Sequence, residues 1–234
     1  SIRRQRQIGI RDRSEIDCAK VSPVIFARGE RPADVPHQFT WVSGDPTKES
    51  ELDKVRLDHA SAAIIVGSRD MVPQQADAIT ILTAFTIRRY LSQKQSHGIR
   101  VRPLYIVAEV LDAENVDHAR TAGADEVIET NRLGFSLLTH AIVMPGSAAI
   151  MSEVASNRAH SLYVGDLPED LKLPTNFGQL RRAIKQSTGA LVIGLRGKEG
   201  DQLNPDDNLQ VVAGHQALYL AEAPVLSPQK EDDA

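Results

Sequence analysis

Phe39-Thr40-Trp41-Val42-Ser43-Gly44-Asp45-Pro46-Thr47 opens the stretch, running to Glu109, whose reading decides the fold. Its first five residues are β-prone, and Gly44 to Thr47 form a tight turn, since glycine accepts positive φ and proline fixes its own φ. Glu49 to Val55 starts acidic and places Leu52 and Val55 three apart, which predicts a short amphipathic helix. Ala62-Ala63-Ile64-Ile65-Val66 is an unbroken apolar run closed by Gly67-Ser68, the pattern of a parallel strand covered on both faces. From Val72 to Ser96 the residues Ala76, Ile79, Leu82, Thr83, Ile87, Tyr90 and Leu91 recur at helical spacing. After Arg102-Pro103, Leu104 to Ala108 begins another strand, ending at Glu109. Strands alternating with helices are βαβ units, and their right-handed crossovers commit this part of the chain to a doubly wound parallel sheet. Ligands of such sheets sit beyond the carboxyl ends of the strands.

Length and composition limit the alternatives. A chain of 234 residues with 41% hydrophobic and 25% charged residues has the makings of a soluble protein with a proper core. A net charge of −4 gives no reason to expect a nucleic-acid partner. The single cysteine, Cys18, excludes an internal disulfide and fits a reducing compartment. No apolar run approaches the roughly 20 residues of a membrane span.

Outward from the deciding stretch, residues 1–21 are polar and read as a linker or irregular arm, with only Ile8-Gly9-Ile10 hinting at order. Pro23 to Ala27 is the first convincing strand, and it ends in Arg28-Gly29-Glu30. An acid after such a strand can take ribose hydroxyls and an arginine a phosphate, so Glu30 and Arg28 are candidates, with a solvated turn as the plain alternative. The strand-end residues Arg28, Glu30, Gly44, Asp45, Gly67, Ser68 and Glu109 together make the expected ligand crevice. Gly44 and Gly67 could instead be turn glycines, and Asp45 a helix cap. A helix through His118 is closed by Gly123, and Asp125 to Ile128 reads as a strand. His118 has no partners at ligand spacing and reads as structural, so no metal site is expected. Leu133, Phe135, Leu137, Leu138, Ala141, Ile142, Val143 and Met144 are apolar nearly all round a helix that breaks at Pro145-Gly146. Such a helix packs against a second copy or lies in an ordinary core.

A domain boundary is expected near Ser156, giving a first lobe over 22–156 and a second over 157–224, with 225–234 as a disordered tail. The second lobe reads as a small α+β module: a strand at Ser161 to Val164, a helix from Asn176 to Ser187, and strands at Ala190 to Leu195, Leu209 to Val212 and Ala217 to Ala221. No catalytic residue is assigned, because no nucleophile is paired with a base and the second module is too small for a substrate domain.

The turns and strands together carry a family resemblance. Ser43-Gly44-Asp45-Pro46-Thr47 with Leu52 and Val55, Ala62 to Val66, Val107-Ala108-Glu109, and Ala122 to Ile128 make the chain similar to RCK domains, the regulators of potassium conductance attached to ion channels. Val143-Met144-Pro145-Gly146, Leu203 to Asn208 and Val212-Ala213-Gly214 most resemble the Castor and Pollux channels and their bacterial relatives. The resemblance implies a Rossmann-like doubly wound sheet followed by a small α+β lobe, acting as a ligand-sensing gating domain on the cytoplasmic side of the cell membrane, itself soluble. It implies a homo-oligomer, dimerised through helices around 131–156 and assembled into a ring, octameric in the fullest form, beneath a membrane pore domain. A soluble nucleotide-binding subunit of a Trk/Ktr-type potassium transporter and an NAD-dependent oxidoreductase are the competing readings. The family's Gly-rich turn is missing: no G-x-G-x-x-G occurs in this sequence. Without that backbone cradle, the expected ligand is a weakly held nucleotide (NAD, ADP or ATP), mononucleotide-like in preference to a tight dinucleotide, or none. Some channel-linked members bind calcium through carboxylates where this chain has Gly67 and Leu111, with only Glu109 kept. Calcium wants roughly six to eight oxygens, so no calcium site is carried over.

Overall fold

The structure is a computed structural model describing residues 22–98, 104–156, 160–168, 171 and 175–227. The amino-terminal arm with Cys18 and Ile8 to Ile10, and the tail 228–234, lie outside the described residues. Chain contacts divide it into two compact units, the first ending at Val143 and the second beginning at Met144.

In the first unit, β1 (Val24–Ala27) pairs in parallel with β2 (Thr40–Ser43), Val24 opposite Thr40 and Ala27 opposite Ser43. The expected helix over 49–55 is shorter, because α1 (Glu49–Leu52) tightens into a 3-10 turn at Asp53–Val55 and Arg56 then takes the left-handed φ of 47°. A three-stranded parallel sheet follows, in the order β3 (Ala62–Ile65), β4 (Tyr105–Val110), β5 (Glu126–Glu129). Between its strands run α2 (Pro73–Ser96) and α3 (Val116–Thr121). Ile65, Ala84, Ile87, Tyr90, Leu91, Ile106 and Ala108 share one core with Leu52 of α1. The side chain of Arg88 on α2 donates to the carbonyls of Gly123 and Leu104, tying the end of α3 to the start of β4.

The parallel α/β reading holds, and one expectation, about how a strand is covered, is corrected. The strands are hydrogen-bonded as two parallel pieces, β1-β2 and β3-β4-β5, and no strand among the described residues joins β1 to β3. The apolar run Ala62 to Val66 is covered on one face only: Ile65 is buried in the core beneath α2, whereas Ile64 is 73% exposed. An uninterrupted apolar run reports what a strand could bury, and here one side of it stays exposed among the described residues. β4 also runs two residues past Ala108, so Glu109 lies within the strand.

β5 passes directly into α4 (Thr130–Val143), which has no buried residue. Pro145-Gly146 separates it from α5 (Ser147–Ala155), with Gly146 at φ 91°. α5 packs on β6 (Ser161–Asp166) and belongs to the second unit, which moves the boundary ahead of the expected Ser156.

The second unit is built on an antiparallel sheet in the order β6, β11 (Gln216–Ala221), β8 (Leu191–Gly197), β9 (Gly200–Leu203). The turn at Lys198-Glu199 joins β8 to β9, a strand that the polar sequence Gly-Asp-Gln-Leu hid. β10 (Gln210–Val211) pairs with β7 (Thr175–Asn176) outside the main sheet. α6 (Phe177–Thr188) starts in a capping box of Asn176 and Gln179 and buries Phe177, Leu180 and Ile184 against Val192, Ala217 and Tyr219. The first residues of the tail expected to be disordered from 225 are held in place, since the Tyr219 hydroxyl accepts from the backbone N–H groups of Val225 and Leu226.

Candidate functional site

Parallel strands bring their carboxyl ends to one side, and in the first unit two acidic clusters form there. The first lies after β1 and β2. The Gly44 N–H donates to the Ala27 carbonyl at 3.0 Å, and a Cβ at Gly44 would stand 2.4 Å from the Phe26 ring and 2.7 Å from Glu51 Oε2. Only glycine fits that approach. Asp45 follows, and its Oδ1 accepts from Arg28 Nη2 at 2.8 Å, from the Thr47 N–H at 3.1 Å and from the Thr47 hydroxyl at 2.7 Å. The Asp45 N–H in turn donates to Glu51 Oε2 at 2.9 Å. Burial pushes the Asp45 carboxyl up, but the Arg28 and Thr47 hydrogen bonds and the guanidinium charge outweigh it and hold the pKa down to about 2. Arg28 is therefore a paired cation: a phosphate would have to compete with Asp45 for it.

The second cluster surrounds Glu109, buried near the end of β4. Its Oε2 accepts from the Gly67 N–H at 3.2 Å, and its Oε1 accepts from the Thr130 hydroxyl at 2.7 Å and from Arg69 Nη2. A carboxylate taken out of water needs such compensation, and here three donors supply it: the end of β3, the loop after it and the first residue of α4. A Cβ at Gly67 would meet its neighbours at ordinary contact distances of 3.4 Å and more, so glycine is not sterically required there. Asp77, buried near the start of α2, fixes the adjoining loop by accepting from the Leu111 and Asp112 N–H groups and from Asn115 Nδ2.

Of the expected crevice residues, Arg28, Gly44 and Asp45 come together in the first cluster and Gly67 and Glu109 in the second. Glu30 and Ser68 are exposed on the loops after β1 and β3. Arg69, Thr130, Thr47 and Glu51 were missed. A signal for Arg69 exists in its place two residues after Gly67, in the turn that faces the acid of the next strand. Thr130 had none, because it looks like an ordinary first helical residue. Among the described residues no three His, Cys, Asp or Glu are grouped to hold a metal ion, and no helix is long and apolar enough to cross a membrane.

A parallel unit with acid-arginine clusters at its strand ends, followed by a small α+β unit, defines a Rossmann-like class of domain. Comparison with known proteins narrows it: residues 31–127 match the family model described as the calcium-activated potassium channel slowpoke-like RCK domain. The calcium-gated potassium channel TvoK of Thermoplasma volcanium is 25% identical over 188 residues, 77% of this chain and 49% of that protein. The human SLO3 gating ring superposes with a TM-score of 0.64 at 15% identity, covering 86% of this chain and 44% of that one. The GsuK channel bound to NAD gives a TM-score of 0.41 at 20% identity, covering 88% of this chain and 33% of that one. The resemblance to RCK domains read from the sequence, and the mixed α/β fold with parallel sheets, are borne out by these matches. The chain spans about half the length of TvoK.

Proposed function

We propose that this chain is the cytoplasmic, ligand-sensing regulatory module of a potassium channel, without chemistry of its own, and that it works as a homo-oligomer joined through α4. The family match over residues 31–127 and the likeness to a potassium channel support the class. The observation that carries the mode of action is α4: Phe135, Leu138, Ile142 and Val143 are 71%, 64%, 82% and 72% exposed. A helix that is apolar nearly all round and has no fully buried residue calls for a second surface.

The ligand in this reading is nucleotide-like and weakly held, at the carboxyl ends of β1 to β4. Asp45 Oδ2, whose ion pair with Lys48 Nζ is long at 3.9 Å, is the acceptor for a ribose hydroxyl or an amino group, and Arg28, Lys48 and Arg69 are the cations for a phosphate. TvoK is named as calcium-gated. Calcium is the poorer fit here because Glu109 already accepts from three donors, one of them the cation Arg69. Calorimetry of the chain with NAD, NADH, ATP, ADP, AMP and Ca²⁺, repeated on Asp45→Ala, tests the assignment. The expected outcome is micromolar or weaker binding of a nucleotide, lost in Asp45→Ala. Tight calcium binding without nucleotide binding, or nucleotide binding indifferent to Asp45→Ala, would contradict it.

A further inference from the structure

We infer that the Glu109 carboxylate, shared between Arg69 and Thr130, is the link that transmits ligand occupancy at the strand ends to α4. This rests on the proposed ligand site and the proposed interface. The geometry has three parts. Glu109 is 7% exposed, so its charge must stay compensated, and its Oε1 is the acceptor for both the Thr130 hydroxyl and the Arg69 guanidinium. Arg69 is the accessible member, with a side chain 40% exposed on the loop after β3. Thr130 is the first residue of α4, and the neighbouring Asn131 Nδ2 donates to the Leu111 carbonyl at 3.0 Å.

These two bonds fasten the first turn of α4 to the end of β4. Beyond that turn, among the described residues, a half-buried stripe of Gly134, Leu137 and Ala141 is what holds the helix. Its orientation is therefore unusually dependent on its first turn.

A phosphate-bearing ligand attracts the exposed guanidinium of Arg69 and draws it from Glu109. The buried carboxylate then loses its cation and leans on its remaining donors, the Gly67 N–H and the Thr130 hydroxyl, which shifts the first turn of α4 relative to the sheet. Arg69 with Glu109 and Arg69 with ligand are the two states, and they bias α4 differently. Because coupling is reciprocal, a ligand that changes self-association by some factor must bind the associated form more tightly or more weakly by the same factor.

The test compares the chain with Thr130→Val, which removes the hydroxyl at nearly constant shape, and Thr130→Ser, which restores it. The dimer dissociation constant is measured by sedimentation equilibrium with and without saturating AMP, and AMP binding by calorimetry. For the unmutated chain, AMP is expected to move the dimer constant at least tenfold. Thr130→Val should still bind AMP but lose that shift, and Thr130→Ser should regain it. The inference is overturned if Thr130→Val keeps the full shift, or if valine and serine variants lose it alike. AMP binding to the unmutated chain with no shift overturns the link while leaving the ligand site standing. A dimer that binds no AMP overturns the ligand site and the link with it, and a chain that binds AMP only as a monomer overturns the interface and the link.

Discussion

At the scale of single residues, Asp45 places an acid-sensitive clamp at the turn after β2. Its carboxyl is held at about 2 in the folded chain, below the roughly 3.9 of an unfolded aspartate. A depressed carboxyl contributes stability that is fully present above its unfolded value and lost as pH falls through the folded one, so the loss spans about pH 4 to 2. Asp45→Asn should accordingly be less stable than the unmutated chain near neutrality, with the two converging toward pH 2. Urea denaturation across pH 2 to 7 checks this, and a stability difference that does not shrink on acidification would contradict it. The same residue illustrates what was legible beforehand. Gly44, Asp45, Gly67 and Glu109 could be picked out because turn glycines and strand-end acids have position-specific chemistry that one sequence displays. Their partners Arg28, Arg69, Thr47 and Thr130 depend on side-chain reach across loops. Of these, only Arg28 was singled out, and then as a free cation.

Among the elements, α4 carries the proposed mode of action. Its apolar residues were legible as a pattern, although the pattern alone left burial in its own core and burial against a second copy equally open. Among the described residues the core half-buries Gly134, Leu137 and Ala141 and buries no residue of the helix fully. Each fully buried Leu, Ile or Phe contributes about 1.5 to 3 kcal/mol, so a handful from each copy can offset an association cost of ~4 to 15 kcal/mol. Phe135→Asp with Leu138→Asp should convert dimers to monomers without unfolding, since both side chains are already 71% and 64% exposed. Light scattering at tens of micromolar, with circular dichroism as the folding control, gives the outcome. A monomeric unmutated chain would remove α4 from any interface. Less legible were β7, which has two residues, and β9, which is polar, so neither length nor alternation announced them, whereas β10 falls within the expected strand at Leu209 to Val212. Arg56, left-handed without being glycine, ends the helical segment after Val55 in a way its residue type does not encode.

For the whole molecule, the order of strands and helices in the first unit was readable because βαβ alternation leaves few topologies open. Hydrogen bonding between strands distant in sequence was not, and the separation of β1-β2 from β3-β4-β5 is the main departure from a single continuous sheet. The small α+β unit was recognised in class, with its boundary displaced by the attachment of α5 to β6. Both units together serve the account's central claim, that self-association of this chain through α4 regulates potassium passage. The most direct measurement is potassium flux across membranes of the cell that makes this protein, with and without Phe135→Asp and Leu138→Asp introduced in its gene. The account predicts that the double substitution abolishes the response of flux to nucleotide while leaving the protein folded and present at its usual level. An unchanged nucleotide response, with the variant confirmed to be monomeric as an isolated chain, would contradict it.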